Sequence, residues 1–218
     1  MHIQPHFAET RPIVLHELIR AKPLATLIVI QDNEIVVNHM PLMIISDGSD
    51  YGVLRGHIPR ANSIWNGFDG ASTKAVAVFQ GPDSYVTPSW YPSKHQHGKV
   101  VPTWNYVVAH AHGYPRAVQD SKWLLNHLGE LTDWQESDQE IPWRVSDAPA
   151  DFIDKMSKSI VGIEMSITRL DGKWKVSQNR PEADKQGVAA GLRNRRTDNS
   201  LAMEALVRQH SDSQQKPG

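Results

Sequence analysis

Apolar and polar positions change period several times along the chain, and each change marks an element. Pro12–Ala21 sets Val14, Leu15, Leu18 and Ile19 on one face, with Thr10 as N-cap, and predicts a short opening helix. Leu24–Ile30 is a continuous apolar run and predicts a buried strand that turns at Asp32-Asn33. Glu34–Ile45 is apolar but broken by Asn38, His39 and Pro41, and the proline implies an edge strand or a bulge. Tyr51–Ile58 and Ala75–Phe79 read as further strands, with a helical turn over Arg60–Trp65 between them. Tyr85–Trp90 and Val100–His112 read as extended pieces around a loop at Ser93–Gly98. Ser121–Trp134 is amphipathic, with Trp123, Leu124, Leu128 and Leu131 on one face, and Ala150–Met156 is a second short helix. Ile160–Leu170 alternates as a strand, Asp171-Gly172 reads as a hairpin turn, and Trp174–Val176 as the return. Arg180–Leu192 and Ser200–His210 read as helices before a polar tail.

About six closely spaced strands followed by a cluster of helices favour a mainly β fold, an antiparallel sheet or small barrel with helices packed outside it. Alternating βα units are missing. There is no G-x-G-x-x-G after a strand and no G-x-x-x-x-G-K-[ST], which excludes Rossmann and P-loop readings.

Composition narrows the class further. With 218 residues, 39% hydrophobic and 22% charged, the chain is long enough to bury a core and reads as globular. Its apolar runs fall short of the roughly 20 residues of a membrane span, and the N-terminus lacks a signal-peptide pattern, so the expected location is cytoplasmic. No cysteine is present, which removes disulfides, thiolate metal sites and thiol nucleophiles. Net charge is −1, so no global field favours nucleic acid. The charge is uneven, however: Gln119–Asp154 carries nine acidic residues against two basic, and Arg169–Arg196 eight basic against three acidic. Solvated helix faces would explain both; the sharper reading has the basic segment meeting an anion or the acidic segment of a second subunit.

Two segments carry candidate chemistry. In Arg55–Asn62, Arg55 and His57 share a strand face by alternation, and Arg60 and Asn62 follow at a turn, a grouping suited to a phosphate. In Tyr85–Tyr106, three prolines, five aromatics and two lysines fall within 22 positions. An extended Val100–His112 puts Trp104 and Tyr106 on one side and Thr103 and Asn105 on the other, stacking surface and hydrogen bonding for a flat heteroaromatic ligand. The same aromatics would also serve a barrel interior or a subunit interface. His95-x-His97 and His110-x-His112 lack an accompanying carboxylate at fixed spacing, so no metal site is expected. Lys173 and Lys175 share a face ahead of a helix that Ser177 or Asn179 would cap.

Five segments in order resemble one known family. They are Asn38-His39-Met40-Pro41, Gly56-His57-Ile58-Pro59-Arg60-Ala61-Asn62, Tyr85–Tyr91, Val101–Tyr106 and Gly172–Arg180. The chain is similar to the FMN-binding negative transcriptional regulators typified by PaiB. That resemblance implies a split β-barrel of the pyridoxamine-phosphate-oxidase type over residues 1–192, with a C-terminal helix and polar tail over 193–218. It implies FMN near the interface of a homodimer. The implied cofactor-binding residues are Asn38, His39, Arg55, His57, Arg60, Asn62, Ser89, Trp90, Tyr91, Lys94, Thr103, Trp104, Asn105 and Gln178, with Arg55, His57, Arg60 and Asn62 at the phosphate end. No helix-turn-helix is evident, so DNA is a partner without a motif to support it, and regulation through flavin state or a partner protein fits better. The alternatives are an FMN-dependent oxidoreductase on the same barrel, although no catalytic motif is evident, and a haem-binding relative with His39, His110 or His112 as axial ligand.

Overall fold

Alternation in Leu24–Gln31 makes a strand with one dry face: Leu27 is 2% exposed and Ile30, three residues on, 66%. In the computed structural model, which describes residues 1–212 and side chains through His210, this segment is β2. The other strands are β1 (Ala8–Glu9), β3 (Glu34–Pro41), β4 (Met43–Ile45), β5 (Val53–Pro59), β6 (Ala75–Val86), β7 (Thr103–Val118) and β8 (Ile160–Lys175). They form one sheet in the order β3-β2-β6-β7-β8-β5-β4, with β1 paired to β8. The pairings of β2 with β3 and β6, and of β5 with β4 and β8, are antiparallel. β3 lies at the sheet edge, where its proline is tolerated.

Six helices complete the described chain: α1 (Pro12–Ala21), α2 (Ser93–His97), α3 (Ser121–Gln135), α4 (Ala150–Ser157), α5 (Glu182–Arg195) and α6 (Asp198–Asp212). Asp120 caps α3 by accepting from Trp123 N at 2.7 Å. None of the described helices is long and apolar enough to cross a membrane. The end of the expected polar tail lies outside the described residues.

The described chain divides into two compact units. The first comprises Met1–Arg11, Gln80–Ala109 and the residues from Asp171 onward; the second comprises Pro12–Phe79 and His110–Leu170. The first is built around α5 and α6, whose Val188, Leu192, Met203 and Val207 are buried. The second closes over Ile19, Leu27, Leu54, Phe79, Ile163 and Met165, all buried.

Three expectations change. Asp171-Gly172 is no turn: neither residue has the positive φ that the expected hairpin turn needs. Pairing of Glu9 with Gly172 and of Ala8 with Lys173 keeps β8 extended through this point. Ser93–His97, expected as a loop, is α2, because the buried Asp184 carboxylate accepts from Ser93 N at 3.1 Å and Ser93 Oγ at 2.7 Å. Pro88–Trp90 forms a 3-10 turn rather than extended chain, with Thr87 accepting from Ser89 N.

Candidate functional site

In the second unit, alternation along β5 does put Arg55 and His57 on one face, between the buried Leu54, Gly56 and Ile58. Arg55 Nε donates to Glu164 Oε2 at 2.8 Å, and Arg116 holds the other oxygen of that carboxylate at 2.5 Å. Burial pushes the Glu164 carboxyl up, but the hydrogen bonds and charges of Arg116 and Arg55 outweigh it and leave it below its ordinary value. His57 Nδ1 lies 3.3 Å from His127 Nε2, and the Trp123 ring stacks on His127 with centroids 5.2 Å apart. The stack requires Gly162, where a Cβ would lie 2.3 Å from the Trp123 ring. Burial lowers the affinity of His57 for its proton. His127 is held down to about 4, by burial first and then by His57 and Arg55. Trp123 Nε1 and His127 Nδ1 are both buried without a hydrogen-bond partner.

The remaining candidates in this unit are bound into the protein itself. Arg60 donates to the carbonyls of Lys158 and Ile160 at 3.0 and 3.1 Å and to Gln119 Oε1 at 2.7 Å. Asn62 caps the 3-10 turn at Ser63–Gly67 by accepting from Ile64 N, and its amide donates to Asn38 Oδ1 at 2.6 Å. His39 is exposed and meets Thr26 Oγ1 at 3.1 Å.

The first unit gathers the aromatic, proline-framed stretch. Along β7, Asn105 faces inward, 1% exposed, and bonds Ser177 Oγ at 2.9 Å, while Trp104 is 54% exposed and meets Tyr85 edge to face. Trp90 packs on α5, where a Cβ at Gly187 would strike its carbonyl and one at Gly191 its ring; Arg195 lies 4.8 Å over that ring. Tyr91 is buried, its hydroxyl lacks a hydrogen-bond partner, and Arg180 lies 4.8 Å over its ring. Lys94 Nζ donates to Ser89 Oγ at 3.2 Å, and both residues are exposed. The Gln178 amide accepts from Val176 N and donates to the Trp174 carbonyl, and the residue lines a cavity of about 370 Å³. Thr103 accepts from Lys175 Nζ. Burial first, then the charges of Lys173 and Arg180, lower Lys175 below the ordinary lysine pKa.

The fourteen sequence candidates therefore fall into two groups, six in the second unit and eight in the first. Sequence reading missed Trp123, His127 and Glu164, since nothing local links them to β5. It also left Lys175 and Arg180 outside the candidate site, although the alternation in Gly172–Val176 was a usable signal. Among the described residues no cluster of His, Asp or Glu has metal-holding geometry. The first unit offers what a phosphorylated heteroaromatic needs: exposed aromatic surface, hydroxyls, and the cations Lys173, Lys175 and Arg180, which have no carboxylate partner among the described residues.

The family described as "Putative FMN-binding domain" matches residues 1–169. An uncharacterized protein of Emericella nidulans is 34% identical, over 99% of this chain and 100% of its own length. The Bacillus subtilis protein named Protease synthase and sporulation protein PAI 2 is 25% identical, over 95% of this chain and 96% of its own. The solved structure of the FAD and Heme binding protein from Mycobacterium smegmatis superposes with a TM-score of 0.59 at 17% identity, covering 84% of this chain and 80% of that one. At that identity the likeness is one of fold, the mainly β, split-barrel class expected from the sequence.

Proposed function

The chain belongs to the family of FMN-binding domains, with FMN as its cofactor, and from that premise we propose that it is a flavin-dependent negative regulator of transcription working as a homodimer. The match over residues 1–169 carries the flavin part. The donor set of the first unit supports it, with its eight candidates and the neighbouring Lys175 and Arg180 as the residues that hold FMN. When bound, FMN supplies the redox chemistry; the chain's own part is to bind and orient it. The regulator role is brought here from the Bacillus subtilis relative, whose name ties it to protease synthesis and sporulation. Action through flavin state, rather than by reading DNA directly, fits the net charge of −1.

The homodimer rests on an apolar sheet face in the second unit. Ile30 pairs with Ile35 and Ile28 with Val37, so all four lie on one face of β2–β3. Ile30, Ile35 and Val37 stand 66%, 72% and 51% exposed. A second copy that covers this face removes the apolar surface from water.

The test is the visible absorption spectrum of freshly purified protein, with any released chromophore identified. Flavin bands and released FMN support the reading; a protein that carries and takes up no flavin contradicts it.

A further inference from the structure

Most cations of the described chain that lie at ion-pairing distance of a carboxylate are themselves exposed: Arg116 with Glu164, Lys158 with Asp154, Arg193 and Arg208 with Glu204. Three cations of the first unit depart from that pattern. Lys173 Nζ donates to the His2 carbonyl at 3.1 Å and lies 5.3 Å from the centre of the Tyr106 ring. Lys175 Nζ donates to Thr103 Oγ1, and Arg180 lies over Tyr91. All three are half-buried, and among the described residues none of them has a carboxylate partner.

Lys173 and Lys175 alternate onto one face of β8, and the charges of Lys173 and Arg180 both act on Lys175. Like charges that act on one another while partly removed from water repel, and an anion between them turns that repulsion into attraction. The partners the three already have leave donors to spare. A lysine ammonium has three N–H groups, and Lys175 commits one to Thr103; an arginine has five, and Arg180 presents its plane to an aromatic ring. The chain turns directly after β8, where Ser177 adopts a left-handed φ of 65° and Arg180 N donates to its carbonyl at 3.0 Å. By contrast, Arg60 is already committed to two carbonyls and an amide, and Arg55 to Glu164.

We infer that Lys173, Lys175 and Arg180 form an anion subsite for the dianionic phosphate of a phosphate monoester, with Thr103 fixing the Lys175 ammonium. On the flavin reading, from which the identity of the ester is taken, this is the 5′-phosphate of FMN. Three cations match the two charges and three oxygens of such a group better than a single carboxylate. Lys173 lies 5.3 Å from the centre of the Tyr106 ring, so the subsite adjoins flat aromatic surface.

The experiment titrates FMN and riboflavin, which lacks the phosphate, into wild-type protein, Lys175→Met, Arg180→Met and the charge-conserving Lys175→Arg. Wild type is expected to bind FMN at least about tenfold more tightly than riboflavin. Each Met variant weakens FMN by about tenfold or more, the equivalent of a lost hydrogen bond to a charged group, and leaves riboflavin unchanged. Lys175→Arg retains most of the FMN affinity and shows that the fold tolerates the position. If wild type binds FMN and both Met variants bind it equally well, the subsite is wrong while the flavin reading stands. If wild type binds no FMN, the flavin reading fails, and inorganic pyrophosphate becomes the probe of the subsite. Pyrophosphate binding that Lys175→Met abolishes then supports the subsite on its own. Pyrophosphate binding that is absent, or that Lys175→Met leaves unchanged, overturns it.

Discussion

His57 Nδ1 and His127 Nε2 lie 3.3 Å apart and share one hydrogen bond, while the other nitrogen of His127 is buried without a partner. Burial disfavours the imidazolium form of both in the folded protein. The folded value of His127, about 4, lies below its ordinary 6.5, so the unfolded chain binds the extra proton. Stability is therefore full above about pH 6.5 and is lost as pH falls toward 4, by about 3 kcal/mol for His127 alone. Urea unfolding at pH 7.5 and 4.5 should show this loss in wild type and a clearly smaller one in His127→Leu. Equal losses in both would exclude the pair as the cause.

Arg60 ties the start of β8 to the end of β5 through the carbonyls of Lys158 and Ile160. Arg60→Ala should lower unfolding free energy by about 1.5–3 kcal/mol, the range for hydrogen bonds involving a charged group. It should not alter the preference for FMN over riboflavin, the reverse of the pattern expected for Lys175→Met. An altered preference with unchanged stability would make Arg60 a phosphate ligand instead of a staple.

The glycines of α5 are required by Trp90. Alanine at Gly191 would put its Cβ 2.2 Å from the Trp90 ring, and at Gly187 2.0 Å from the Trp90 carbonyl. Alanine favours a helix by up to about 1 kcal/mol over glycine, but overpacking costs about 1–3 kcal/mol, so both variants should be net destabilised. Gly187→Ala should be the worse, because a backbone carbonyl yields less readily than a ring. Thermal melts decide it; a gain in stability for either would show that the turn at Pro88–Trp90 moves freely.

A lysine at Ile35 or Val37 should make the protein monomeric at micromolar concentration by light scattering. Folded stability should stay within about 0.5 kcal/mol, since both side chains are surface residues within the single chain. Unchanged mass in both variants would place any interface elsewhere.

Local pattern carried much of the fold. α1, α3 and β2 follow from apolar periodicity, and the shared face of Arg55 and His57 from alternation along β5. What escaped depends on distant partners. The Asp184 carboxylate that caps α2 lies 91 residues from Ser93, and β1, which keeps β8 extended through Gly172, pairs with it from the other end of the chain. In the same way, His127 stands 70 residues from His57 and Glu164 stands 109 from Arg55, separations across which no sequence period reports contact. Lys173 and Lys175 were legible as a face; the turn that follows them depends on the left-handed Ser177, a residue type that gives no warning of it.

That this chain holds FMN is tested most directly by titrating flavin-free protein with FMN and following the quenching of tryptophan fluorescence. Trp104, half exposed beside Tyr85, is the reporter nearest the candidate residues of the first unit. The expected result is saturation at one FMN per chain with a Kd at or below about 1 μM, equivalent to about −8 kcal/mol. Fluorescence that does not saturate as FMN rises toward about 1 mM, where binding is worth only about −4 kcal/mol, would contradict it.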